Sequence, residues 1–294
     1  MSKKNGASTG YRVFSLVVLI ILAILFLFPL YWIITGALKT PAAINARTPQ
    51  WIPTEITMRN FETLFSKRSA PLFQIGSLTG PTVPAAIRWL LNTVFMAVAA
   101  MLLTCITAAM AGYALAKKRF IGRTILFSLI VAAMALPKQV ILIPLIREMS
   151  KLNLYDTIWA VIFPTVGWPF GVFLMKQFSE GIPGEMLEAA RIDGAGEWKT
   201  FSTIVFPMVK PGVGALAIFT FISSWNDYFL QLIMLARNVN YTISLGIATM
   251  QAENSTDYGL IMAGAALAAI PIIIVFIIFQ KYFTKGITMG AVKG

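Results

Sequence analysis

Hydrophobic side chains along this chain gather into six long runs, at about residues 13–38, 87–116, 123–146, 157–178, 209–235 and 259–283. At a rise of about 1.5 Å per residue, each run is long enough as a helix to cross a hydrocarbon layer of about 30 Å. The pattern predicts an all-α integral membrane protein of six transmembrane helices in a single domain, residues 1–294. The first run follows a short polar head containing Lys3, Lys4 and Arg12. It is longer than the apolar centre of a signal peptide and lacks a small-x-small cleavage site, so it reads as an uncleaved span. Six crossings place both termini on one side. Basic residues cluster at run ends, as Lys117, Lys118 and Arg119 do, and their bias toward the short loops favours cytoplasmic termini.

Two spans carry breakers. Pro137 and Pro144 interrupt the third, while Pro164, Gly167, Pro169 and Gly171 interrupt the fourth. Such breaks are either simple kinks or places where freed backbone groups face protein or a wet cavity. The connection 39–86 holds Pro41, Pro49, Pro53, Pro71, Pro81 and Pro84 among polar residues. It reads as an irregular extracytoplasmic loop with a short helix near residues 58–66.

Composition agrees with the pattern. Hydrophobic residues make up 57% of the chain and charged residues 12%, about half the usual charged share of a soluble domain, and the mean hydropathy is +0.76. The formal charge of +12 reflects topology rather than nucleic-acid binding, since no basic-aromatic module accompanies it. The sequence has no histidine and one cysteine, Cys105, inside an apolar run. This excludes an intrachain disulfide, Cys or His metal sites, and Ser-His-Asp or Cys-His catalytic pairs. We expect no catalytic residues and no metal ligands.

The connection 179–207 differs from its surroundings. It contains Glu180, Glu185, Glu188, Asp193 and Glu197. Pro183 and the acidic residues after it suit the first turn of a helix. Met186, Ala189, Ala190 and Ile192 are compatible with a short amphipathic helix, which Gly194 and Gly196 would stop or bend. A second short helix would carry Trp198, Phe201 and Ile204 on one face, and Pro207 marks the return to the membrane. The residues describe two short helices at the cytoplasmic surface with a glycine corner between them, a pattern that a plain interfacial linker would also give.

The spacing is more specific. Glu188, Ala189 and Ala190 are followed by three residues and Gly194, then by nine residues, Ile204, one residue, Phe206 and Pro207. This closely resembles the EAA signature of ABC importer permeases, with Phe206 where the family usually has Leu. The resemblance extends over nearly the whole chain. Asp193, Gly194 and Ala195 fit the carbohydrate version, as do Ser224, Trp225, Asn226 and Asp227; the ending from Gly286 to Gly294 looks like the tail of the smaller maltose-type subunit. The resemblance implies a type I importer fold and a permease that moves a sugar or oligosaccharide by alternating access. It implies coupling to two separate ATPase subunits through Glu188, Ala189, Ala190, Asp193, Gly194, Phe206 and Pro207. A further contact by Gly290, Ala291, Val292, Lys293 and Gly294 follows from the same likeness. No G-x-x-x-x-G-K-[ST] loop occurs in the sequence, so ATP and Mg would belong to those ATPase subunits and no cofactor to this chain. The remaining implied partners are a second, different permease, an extracytoplasmic solute-binding protein and the bilayer of a prokaryotic cytoplasmic membrane.

The fifth run holds polar groups deep among apolar ones: Trp225, Asn226, Asp227 and Tyr228. An ionisable residue at such depth is costly and usually faces the bundle interior or a water-filled path. Trp225 and Tyr228 could stack on sugar rings while Asn226 and Asp227 bind hydroxyls. Equally, Asn226 and Asp227 could pair with neighbouring helices to hold packing or gate a pore. Lys138 is the one cation in the spans suited to an anionic cargo. An autonomous secondary transporter or channel, or an intramembrane enzyme using Asp227, would need no ATPase, and either leaves the EAA spacing unexplained.

Overall fold

The computed structural model of the chain describes residues 9–75, 77–254 and 257–291. It is helical, with two short two-stranded ribbons. The chain resolves into two compact units, one of residues 1–69 with 247–269 and the other of residues 70–246 with 270–294.

In the first unit, α1 (Thr9–Ala37) presents an almost wholly apolar, exposed surface, as a helix in lipid must. It is followed by α2 (Pro41–Ile44) and α3 (Arg59–Ser66). The latter is the short helix expected near residues 58–66. Buried Asn60 of α3 donates to the carbonyls of Ala37 and Lys39, both at 2.9 Å. It thereby satisfies orphan acceptors at the C-terminal end of α1.

The second unit begins with the ribbons β1 (Ser69–Pro71) with β4 (Thr82–Pro84), and β2 (Gln74–Ile75) with β3 (Leu78–Thr79). The proline-rich sequence gave no sign of these. Then comes α4 (Ala85–Lys117), the spine of the unit, followed by α5 (Arg123–Ala133), α6 (Leu142–Lys151), α7 (Trp159–Val166) and α8 (Pro169–Glu180). The helices α9 (Gly184–Ile192), α10 (Glu197–Thr200), α11 (Phe206–Asn226) and α12 (Tyr228–Met234) complete the order of this unit up to α13 (Ile243–Asn254), which like the helix after it has residues in both units. The last helix, α14 (Tyr258–Ala291), runs past the expected end of the sixth span, so Gly290 and Ala291 are helical. Val292, Lys293 and Gly294 lie outside the described residues.

Small residues let α4 approach its neighbours. Thr104, Ala108 and Gly112 recur along it, buried where α8 and α11 pack, and Ala100 is buried against α7. A Cβ at Gly112 would stand 2.6 Å from the backbone of Met175 and Lys176, and one at Gly171 would meet Ala108 and Thr104 at 3.2–3.3 Å. Close backbone approach of this kind drives helix association in lipid, where burial of apolar area gives little.

Among the described residues, five helical stretches are long and apolar enough to span a bilayer: Gly10–Ala37, Ala85–Lys117, Trp159–Glu180, Glu197–Asn226 and Tyr258–Gln280. The expected third span is a broken one. Its two arms, Arg123–Ala133 and Lys138–Lys151, meet at 102°. Pro137 causes the break, because it forces Leu136 away from helical backbone angles. Pro144 does not interrupt anything; it lies in the first turn of α6, where no amide is needed. The expected fifth span is also corrected. Residues 209–235 are not one helix, since α11 ends at Asn226 and α12 starts anew at Tyr228. Asp227, at φ −77° and ψ 61°, occupies an inverse γ-turn geometry and accepts from the Leu230 amide at 3.3 Å, capping α12.

A polar clasp closes one end of this unit. Asp156, buried and at φ 57°, accepts from the Ala236 amide (2.8 Å) and the Arg237 amide (3.0 Å), and pairs with the Arg237 guanidinium. Burial alone would push its carboxyl upward in pKa. The hydrogen bonds from Arg237, Ala236 and Asn240 outweigh burial and hold it below the ordinary value of 3.8.

Two outcomes follow. Gly112→Val should destabilise the detergent-solubilised protein by about 1–3 kcal/mol through overpacking, read as a fall in thermal midpoint. Gly184→Ala, whose added Cβ meets nothing within 4 Å, should leave the midpoint unchanged. For the clasp, a carboxyl with a depressed folded pKa stabilises above its unfolded pKa and loses that effect as pH falls through the folded value. Asp156→Asn, which tolerates the same left-handed backbone, should therefore melt below wild type at pH 7. The gap should close as pH drops below about 4.

Candidate functional site

The segment between α8 and α11 is built on the end of α4. Lys117 and Lys118 reach to its two limbs. The Lys117 ammonium donates to the carbonyls of Glu180 (3.0 Å) and Ile182 (2.6 Å), where α8 ends. The Lys118 ammonium pairs with Glu197 at the start of α10 and lies 5.2 Å from the Tyr113 ring centre. Burial pulls the Lys118 pKa down, but Glu197 and Tyr113 outweigh it and hold the ammonium above its ordinary value. The cation is thus fixed at neutral pH.

Helix α9 is seated by Leu187, buried in the core cluster of Tyr113, Met175 and Val205, and by Ala190, which is also buried. Of the face read from the sequence (Met186, Ala189, Ala190 and Ile192), Ala190 alone turns inward. Met186, Ala189 and Ile192 point outward, with Ile192 86% exposed. Ala190 therefore packs inward and is no surface for close approach, while Glu188, Ala189 and Asp193 are exposed. Helix α9 stops in a Schellman motif. The Ala195 amide donates to the Ala190 carbonyl (2.9 Å) and the Gly194 amide to Arg191 (3.0 Å), with Gly194 at φ 72°. A Cβ there would meet no neighbour, so the requirement for glycine is conformational rather than steric. Beyond this corner, α10 leads into a π-helical turn, Phe201–Val205, and then α11. Trp198 stands 68% exposed, and Phe201 packs on Tyr113 at 5.9 Å. Phe206 and Pro207 lie exposed at the start of α11.

A second arrangement surrounds the helix breaks. Lys138, in the 3-10 turn Lys138–Ile141 after Pro137, sets its ammonium 3.3 Å from the Asp227 carboxylate. The same ammonium lies 4.2 Å from the Trp168 ring centre, at the break between α7 and α8. Two cavities flank this trio, of about 80 and 160 Å³, well above the ~10–15 Å³ that one water requires. Thr165, Lys138 and Trp168 line both; the larger also has Thr104, Phe170 and Ser223 on its wall. The Thr104 hydroxyl is buried with no partner among the described residues.

Of the four residues expected on a cargo path, the structure brings Asp227 to the smaller cavity and leaves the others apart. Trp225 is 1% exposed and stacks on Phe221 at 5.5 Å, so its faces serve packing and not a sugar ring. Asn226 is exposed and donates to the Ile222 carbonyl of its own helix at 2.9 Å. Tyr228 is 38% exposed and lines neither cavity. Thr104, Thr165 and Trp168 were missed, although Pro169 and Gly171 marked their neighbourhood.

The model of the family described as binding-protein-dependent transport system inner membrane component matches residues 107–289. The chain belongs to that family. This ABC importer permease is the membrane component and is not itself an enzyme. It is 33% identical over 275 residues to the arabinooligosaccharides transport system permease AraQ of Halalkalibacterium halodurans, covering 93% of each chain. It is 31% identical to the melibiose/raffinose/stachyose import permease MelC of Bacillus subtilis, covering 90% of this chain and 91% of that one. A bacterial ABC transporter that imports the acidic polysaccharide alginate superposes with a TM-score of 0.77 at 22% identity, over 95% of this permease and all of the matched chain.

If Trp225 is a packing residue, Trp225→Ala should cost about 3–5 kcal/mol, seen as a large fall in thermal midpoint, whereas Asn226→Ala should be nearly neutral. A pathway tryptophan would give the opposite pattern of intact stability and lost transport.

Proposed function

We propose that this permease is the smaller membrane subunit of a prokaryotic carbohydrate importer, moving a sugar or oligosaccharide across the cytoplasmic membrane with both termini in the cytoplasm. Its partners are a second, different permease, two ATPase subunits that hold ATP and Mg, and an extracytoplasmic solute-binding protein. The carbohydrate assignment is supported by the named cargoes of the relatives, arabinooligosaccharides and melibiose, raffinose and stachyose.

The observation that carries the coupling reading is the Schellman-capped corner at Gly194. It holds α9 with its inner face committed to the core and its outer face, Met186, Glu188, Ala189 and Ile192, free to seat in an ATPase cleft. Glu188 supplies the charge and Ala189 the close approach. Asp193 and Gly194 form the corner, and Phe206 and Pro207 pass the motion into α11. Gly290 and Ala291, with Val292, Lys293 and Gly294 beyond the described residues, form the further ATPase contact. On the cargo side Asp227 contributes to the path, with Lys138, Trp168 and Thr104 added to it.

The test is detergent co-purification of the permease with its native ATPase, comparing wild type with Glu188→Lys and Gly194→Asp. Wild type should retain the ATPase. Each variant should lower retained ATPase or transport-coupled hydrolysis about tenfold or more, as expected when one well-seated contact worth roughly 1–3 kcal/mol is lost. An ATPase that never co-purifies, or two variants that hydrolyse and transport normally, would put an autonomous transporter in its place.

A further inference from the structure

The Lys138–Asp227 pair stands where three interrupted helices meet; Lys138 lines both cavities and Asp227 the smaller one. Among the described residues that line them, Lys138 and Asp227 are the ionisable ones; the rest are apolar, aromatic, hydroxyl or amide side chains. The two charges come from positions 89 residues apart and approach to 3.3 Å, with the Asp227 side chain 18% exposed and that of Lys138 41% exposed. Lys138 is held from a second direction by the Trp168 ring. Its charge is therefore cancelled rather than offered to the cavity. The hydroxyls facing the larger space are neutral partners. The Thr165 hydroxyl donates to the Val161 carbonyl at 2.9 Å and keeps acceptor capacity, while that of Thr104 is uncommitted. Aromatic faces at Phe170 and Phe219 complete a wall suited to a ring that is apolar on one side and hydroxylated at its edge.

We propose that the Lys138–Asp227 ion pair is a charge filter, making this cavity accept uncharged polyhydroxylated cargo and reject acidic sugars. The inference rests on the carbohydrate reading above and narrows it. An acidic cargo in either cavity can claim Lys138 only by displacing the Asp227 carboxylate into a setting with no other cation among the lining residues, and in the smaller cavity it meets that carboxylate directly. Both effects oppose it in a site of low dielectric. A neutral hydroxylated ring accepts from Lys138, and from the smaller cavity donates to Asp227, without separating them. The fold does not fix this choice, because the alginate importer of like architecture is described as carrying an acidic polysaccharide.

The filter predicts the effect of each charge alone. Removing the carboxylate frees a cation, and removing both charges restores neutrality. The experiment uses the permease assembled with its partner permease and ATPase subunits in lipid nanodiscs, without the binding protein. Saturation-transfer NMR is recorded on raffinose and arabinotriose as neutral probes against trigalacturonate as the acidic one. Wild type should favour the neutral probes at least about tenfold. Asp227→Asn should invert the preference toward trigalacturonate, Lys138→Gln should exclude trigalacturonate further, and Lys138→Gln with Asp227→Asn together should return the neutral preference. A pair that merely braces the helices would lower stability in all variants without moving the ratio.

Equal binding of the acidic probe by wild type, an unchanged preference in Asp227→Asn, or no transfer to any probe in a complex that still hydrolyses ATP each overturns the filter. Uptake of the same sugars by the complete system separates the two levels. If wild type imports none of them, the carbohydrate reading falls as well. If it imports neutral sugars while Asp227→Asn keeps that preference, only the filter falls.

Discussion

A helix that stops inside an apolar slab leaves amides and carbonyls that no lipid can satisfy, and the second unit of this permease is arranged around that constraint. Its chain breaks at Pro137, at Trp168 before Pro169, and at Asp227. These breaks are not distributed at random. Lys138, Trp168 and Asp227 are in mutual reach, and two cavities open beside them. Asp227 meets the constraint twice, accepting from the Leu230 amide to start α12 and from Lys138 across the break. The polar groups that let the helices end are thus among the groups that line the cavities.

The opposite regime holds around α4. There the sequence removes side chains until backbones touch, with Gly112 against Met175 and Lys176, and Gly171 against Thr104 and Ala108. Packing of this kind does not bend gradually; it holds or it slips. The rigid spine carries at its end the two lysines that tether the connection from α8 to α11, Lys117 to the carbonyls closing α8 and Lys118 to Glu197. Helix α9 is consequently clamped at both ends while its outer face stays bare.

Much of this was legible in the chain. Six apolar runs gave the membrane class, and the spacing from Glu188 to Pro207 gave the family signature and its glycine corner, which the φ of 72° at Gly194 explains physically. What was not legible depended on partners distant in sequence. Apolar length marks a span but not its bend, so the 102° turn in the third run was invisible beyond the presence of Pro137. Helix α9 is apolar on two sides, so periodicity pointed to Met186, Ala189, Ala190 and Ile192, of which tertiary packing selected Ala190 and added Leu187. Trp225 read as a ring for sugars because depth in a run says nothing of which way a side chain faces; Phe221, one turn earlier, was the missing neighbour. The Asp227 break had a local sign, since Asn226 and Asp227 favour helix caps over helix interiors. The ion pair itself had none, with Lys138 lying 89 residues away.

Helix α11 joins the two arrangements. It begins at Phe206, directly after the π-helical turn that closes the coupling connection, and ends at Asn226, one residue before the carboxylate that faces Lys138. Twenty-one residues of helix measure about 32 Å, and a packed helix of that length transmits a tilt rather than absorbing it. A π-turn at one end and a γ-turn at the other are places where such a helix can change direction without unwinding. Helix α11 therefore links the α9 connection to Asp227 through one packed element, and Asp227 in turn pairs with Lys138 on the third, bent span. That pairing offsets the cost of an ionisable residue where an apolar one would have been cheaper to bury.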